Sequence, residues 1–196
     1  MKQITRDILS FWFGAWPYNE QVAKEQASLW FESSEALDQA IHQQFGKAIR
    51  AALNHEFECD TLEDKVACIL LLDQFTRNIY RGQDQAFSGD PQSLNLCLNL
   101  IETKQHTNVP LHVAVFICMP LQHSEDANIH EQSIQVFSEL VEIHGETASG
   151  FLEFAKKHKA IIDEFSRYPH RNQALGRCST PAEQDYLDNN GMRFGQ

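Results

Sequence analysis

Residues 60–80 read "DTLEDKVACILLLDQFTRNIY", and this stretch decides the fold class. Thr61, followed three residues later by Asp64, has the form of a capping box that opens a helix. From Val66 to Leu72 the chain is apolar almost all round, which marks a helix buried in an interior. The stretch ends in charge: Asp73 and Arg77 stand four residues apart on one helix face.

Outward from this helix, the apolar spacing stays helical. "TRDILSFWF" gives a short first helix with Thr5 at its cap. From Ser33, the positions Leu37, Ile41, Phe45, Ile49 and Leu53 form one amphipathic stripe. Asp90-Pro91 reads as an N-cap followed by a proline in the first turn. Ser124 is the expected cap of a helix through Ile129, Val136, Phe137 and Leu140 that stops at Gly145. A helix from about Ala148 puts Phe151, Ala155, His158, Ile162 and Phe165 on one stripe. Thr180-Pro181 with Glu183 opens a last short helix that ends near Asn190-Gly191. No stretch alternates as a strand does, and no low-complexity linker divides the chain. The reading is all-α: eight or nine helices in antiparallel pairs, one domain over residues 1–196.

Composition narrows the function classes. A net charge of −11 opposes nonspecific binding to nucleic acid or to an acidic membrane surface. Nine glycines and six prolines are too few for a turn-rich β protein. The apolar run Val109–Leu121 is too short to span a bilayer, which needs about 20 residues. "MKQITRDILSFWFG" has no long apolar region followed by small residues, so no signal peptide is expected. Five cysteines without a CxxC fit a reduced, cytoplasmic protein, with Cys68, Cys97 and Cys118 as core residues. The aromatic group Phe11, Trp12, Phe13, Trp30 and Phe31 reads as core.

The charged end of the opening stretch recurs. "LLDQFTRNIYR", residues 71–81, is echoed by "IIDEFSRYPHR", residues 161–171. Asp73, Phe75, Arg77 and Arg81 match Asp163, Phe165, Arg167 and Arg171. One reading is two well-terminated helices, each with an Asp–Arg pair and a cation near the negative end of the helix dipole. The other is convergence: Arg77, Arg81, Arg167 and Arg171 line one anion pocket, with His170 and Asn172 as polar contacts. Arginine suits that role because its planar fork grips a carboxylate or phosphate through two hydrogen bonds. Lys159, Arg167, Arg171 and Arg177 also make a cationic island in an acidic chain.

"MPLQHSED", residues 119–126, offers a second set. His123, Glu125 and Asp126 are candidates for acid–base chemistry, or else a helix start with acids in its first turn. Neither His55-Glu56 nor His130-Glu131 has the second histidine that a zinc helix needs, and no metal or cofactor is expected. Hydrolase and phosphate-loop motifs are absent. Three functions therefore stand together: a helical module binding a small anion or an acidic peptide group, a hydrolase-type enzyme using His123, Glu125 and Asp126 on an anionic substrate held by arginine, or a structural interaction protein.

Taken together, "ILSFWFG", "LLDQFTRNIYRG", "MPLQHSED" and "YPHRNQALGRCSTPAE" resemble the bacterial family of domain of unknown function 924, over nearly the whole chain. The resemblance implies a fold similar to tetratricopeptide-repeat proteins, with stacked helix pairs in a right-handed superhelical layer. It implies no activity, substrate or cofactor. The family pattern usually has proline where this chain has Thr76 and commonly Met where it has Gln122. Neither departure falls on a charged position, and the turn after Phe75 is where the chain is expected to differ.

Overall fold

The computed structural model describes residues 1–26, 29–30, 34–189 and 191–193. The expected roles of Phe31, of Ser33 as a helix start and of Asn190 as a helix end lie outside these residues. All regular structure among the described residues is helical. The α-helices are α1 (Gln3–Phe13), α2 (Glu20–Glu25), α3 (Glu35–Leu53), α4 (Leu62–Ile69), α5 (Asp90–Glu102), α6 (Leu111–His123), α7 (Ala127–His144), α8 (Ser149–Phe165) and α9 (Pro181–Asp188). Among the described residues no helix is long and apolar enough to cross a membrane.

Helix α4 does not stop at Ile69. It runs on as a π-helix over Leu70–Phe75 and returns to α geometry over Thr76–Ile79. The whole of Leu70–Phe75 is buried. A π-helix bonds each N–H five residues back, which leaves the ladder loose and is common at functional positions. Side chains take up nearby carbonyls: Thr76 Oγ1 donates to Leu72 O at 2.7 Å and Arg77 Nη1 donates to Asp73 O at 2.6 Å. The departure expected after Phe75 is thus a threonine hydroxyl bonded back to the widened turn.

The start of α4 follows the expectation from sequence. Thr61 and Asp64 form a complete capping box. Thr5 does something else: it sits inside α1, and its hydroxyl donates to Asp64, fixing α1 against the cap of α4. Consecutive helices pack along the chain, α5 on α6, α6 on α7 and α7 on α8, while α3 covers the π-helical segment. One hydrophobic cluster reaches from Ile8 to Ala155; in it Phe11 meets Phe45 and Phe75 edge to face, as Trp12 meets Phe116, while Phe45 and Phe75 lie tilted. Cys68, Cys97 and Cys118 are buried in this cluster as expected. A satellite of Ile161, Ile162 and Tyr168, with Phe165, Tyr186 and Met192, ties α8 to α9.

Two caps differ from the sequence reading. Helix α7 is capped by Asp126, which accepts from the Asn128 N–H, while Ser124 accepts one step earlier from the Asp126 N–H. At α5, the cap position is Gly89, and the Asp90 carboxylate points to arginines rather than to its own helix.

Candidate functional site

The π-helical turn delivers Asp73 to the interior with 0% of its side chain exposed. Its carboxylate has three donors. His123, the last residue of α6, donates Nδ1–H to Oδ1 at 2.7 Å; Gln74 Nε2 donates to Oδ2 at 2.5 Å; Arg77 Nη1 lies 3.3 Å from Oδ1. Burial opposes the charged form of Asp73, but His123, Arg77 and Gln74 outweigh it and hold the carboxyl down at about 2. His123 is pulled below the usual histidine range by burial and by Arg77, against the pull of Asp73. The imidazole is then neutral, with its proton on Nδ1, and Nε2 is left as a proton acceptor.

Arg77 reaches onward. Its Nη2 donates to Asp90 Oδ2 at 3.0 Å and lies 2.9 Å from Oδ1. Asp90 also receives Arg171 Nη1 at 3.3 Å. Two arginines far apart in sequence thus share one carboxylate. Gly89 sets the place of Asp90: its backbone lies so close to the Leu72 carbonyl that a Cβ there would run into it. The Arg171 guanidinium lies between two rings, 4.6 Å from the centroids of both Phe87 and Tyr168. Its Nε is buried with no hydrogen-bond partner among the described residues. Burial, then the neighbouring Arg77, push its pKa below the usual arginine value, against the pull of Asp90. Arg77 differs, because Asp90 and Asp73 together lift its pKa despite burial.

Three histidines pack around Tyr168, one of the two rings that Arg171 lies against. The rings of His130, His158 and His170 pack 6.2, 6.0 and 5.3 Å from that of Tyr168, whose hydroxyl donates to Gln122 O. Burial first, and then positive neighbours, hold His158 and His170 at about 3. The permanently charged neighbour of both is Arg171. His158 also uses Nδ1 on Phe154 O at 2.8 Å, as a satisfied core histidine does.

The four arginines of the echoed phrase do not form one pocket. Arg77 and Arg171 meet, whereas Arg81 and Arg167 lie elsewhere. Arg81 grips Asp38 on α3 through Nε and Nη2. Arg167 binds Glu183 of α9, with Nε 2.5 Å from Oε1 and Nη2 2.7 Å from Oε2. The reason is local. The first copy stays helical through Arg77, so its Asp–Arg pair closes; the second leaves the helix at Ser166, which is left-handed with φ 57°. Arg167 therefore leaves Asp163, which pairs with Lys159 at 2.7 Å.

The cationic island is likewise paired out in space. Lys159 meets Glu131, Arg167 meets Glu183, and Arg177 meets Glu125 at 2.7 Å. Glu125 also accepts the Tyr168 N–H at 2.8 Å, and Asn172 is spent on Ser179 and Arg177. Of the trio His123, Glu125 and Asp126, only His123 joins the buried cluster. Its acidic partner is Asp73, not either neighbour in sequence.

Asp73, Asp90, Phe87 and Tyr168 are the cluster members that the sequence did not single out for a site. Asp73 and Asp90 were legible only in other roles, as a helix pair and as a cap. Among the described residues no group of three or more His, Cys, Asp and Glu could hold a metal ion.

A model of a family described as bacterial protein of unknown function, DUF924, matches residues 8–191. The solved structure of a protein of unknown function from Agrobacterium tumefaciens is similar, with a TM-score of 0.80 at 30% identity, covering 95% of this chain and 97% of that one. No curated protein matches the chain. With residues 8–191 inside the family model and a relative of like fold along the same length, the chain belongs to the bacterial family DUF924.

Proposed function

We propose that this protein binds a small anionic ligand at Arg77 and Arg171, beside the Asp73–His123 pair. The observation that carries this reading is the convergence of both guanidinium groups on the Asp90 carboxylate. Two buried arginines around one carboxylate form a preorganised anion seat, and fork geometry favours carboxylate or phosphate oxygens. Titration with acetate, succinate, phosphate and sulfate tests it, followed by calorimetry and by melting temperature. At least one anion should stabilise the wild-type protein, and Arg171→Gln should remove the effect. Indifference to all four removes the reading.

A second reading is favoured by one feature, the buried carboxylate on His123 Nδ1. That arrangement fixes the tautomer and leaves Nε2 to take a proton, as a general base must. On this reading the arginines hold the substrate's negative group and His123 does the acid–base work. Screening carboxylic and phosphoric esters for turnover tests it. Activity that survives His123→Gln counts against it.

A further inference from the structure

The two arginines are not equivalent. Arg77 has two carboxylates within reach, Asp73 and Asp90, and a backbone carbonyl as well. Among the described residues Arg171 has one acid, Asp90 at 3.3 Å, besides the rings of Phe87 and Tyr168, and its Nε is buried without a hydrogen-bond partner. The other cations of this part of the chain, Lys159, Arg167 and Arg177, have acids at 2.5 to 2.9 Å. A buried arginine with one long contact is the under-satisfied member of the cluster, because a buried donor left unpaired is costly. Arg77 thus holds the site together, and Arg171 has donors to give.

Exposure shows where a solute can arrive. Side-chain exposure is 0% for Asp73, 10% for Arg77 and 7% for Arg171, but 14% for His123 and 19% for Asp90. Asp90 is therefore both the most accessible member and the group seated between the two guanidiniums. Its backbone is pinned by the approach of Gly89 to Leu72, yet the carboxylate needs only a side-chain rotation to leave.

We infer that Asp90 is a built-in occupant of the ligand seat, and that the ligand is a small molecule whose carboxylate displaces it from Arg171 and Arg77. This rests on the anion-binding reading above and narrows it in two ways. The ligand class is a carboxylate, because the seat already holds that group, with Oδ2 shared by both guanidiniums and Oδ1 beside Arg77. The resident charges, Asp73 and Asp90 against Arg77 and Arg171, already cancel. An incoming carboxylate group that takes the place of Asp90 brings a single charge and leaves that balance inside the seat intact, whereas a doubly charged phosphate group does not.

The test compares wild type with Asp90→Asn, using acetate and succinate against phosphate and sulfate as probes, by calorimetry. A neutral side chain of the same shape no longer competes, so carboxylate affinity should rise by about tenfold or more. A crystal structure of the wild-type protein soaked in each carboxylate gives a second readout that needs no variant. With saturating acetate or succinate, the ligand carboxylate should lie on Arg171 and Arg77 with the Asp90 side chain rotated away. Wild-type binding with unchanged or weaker affinity in Asp90→Asn, or with Asp90 still on both arginines in the soaked structure, overturns the displacement but leaves anion binding intact. Preference for phosphate or sulfate over the carboxylates overturns the ligand class. Failure of every probe on both proteins removes the anion seat itself.

Discussion

Asp73 concentrates the physics of the site in one side chain. It is fully buried, yet three donors keep it ionised. Breaking such a cluster from one side leaves its partners without compensation. Asp73→Asn should therefore lower the unfolding free energy by about 3 kcal/mol, read from urea denaturation, and a loss below about 1 kcal/mol would contradict that charge balance. The histidines give the pH dependence. His158 and His170 are held neutral, at about 3, whereas an unfolded chain titrates them near 6.5. The unfolded state then binds more protons below that value, so the stabilisation is full above about pH 6.5 and falls as pH drops toward 3. Near pH 5 the two together cost about 4 kcal/mol. Melting temperature should fall between pH 7 and pH 5, and His158→Gln should flatten the decline; a flat wild-type profile refutes it. Arg77 and Arg171 could be read from the sequence as anion-binding residues, because arginine in an acidic chain is conspicuous. Their partner Asp90 could not, since its chemistry looked complete as a cap.

Local rules worked well where one turn decides the outcome. Both capping boxes, Thr61 with Asp64 and Thr180 with Glu183, form as their spacing predicts. Periodicity also places α3, α7 and α8 within a residue or two. What it does not reveal is the π-helical turn at Leu70–Phe75. Hydrophobic pattern reports which residues are buried, and this turn is buried on every side, so no face marks a change of pitch. The echoed phrase shows the same limit: identical residues at matched positions end in different geometry because one copy continues as helix and the other stops at Ser166. The element most sensitive to a single methyl group is the start of α5. Gly89→Ala should cost about 2 kcal/mol, seen in thermal melts, because the added Cβ meets the Leu72 carbonyl. A neutral effect on stability would mean that the loop yields there.

Over the whole molecule, polar contacts join parts that the hydrophobic pattern leaves separate. Tyr168, Arg171 and Arg177 fasten the C-terminal segment to Gln122, Asp90 and Glu125. The three tryptophans, by contrast, all lie within the first thirty residues. Unfolding followed by tryptophan fluorescence and by far-ultraviolet circular dichroism should nonetheless give one coincident transition. Two separated transitions would show that the C-terminal segment comes away alone.

The shared carboxylate at Asp90 also has a consequence for biosynthesis. A ribosome emits Asp73, Arg77, Asp90 and His123 long before Arg171. During that interval the nascent chain carries an incomplete cluster, with one arginine facing two acids and an excess of negative charge. The buried cluster is completed only when the Arg171 segment emerges. A chain released early would thus lack both its second guanidinium and the charge neutrality of its interior, a chemical mark by which quality control could tell unfinished copies from finished ones.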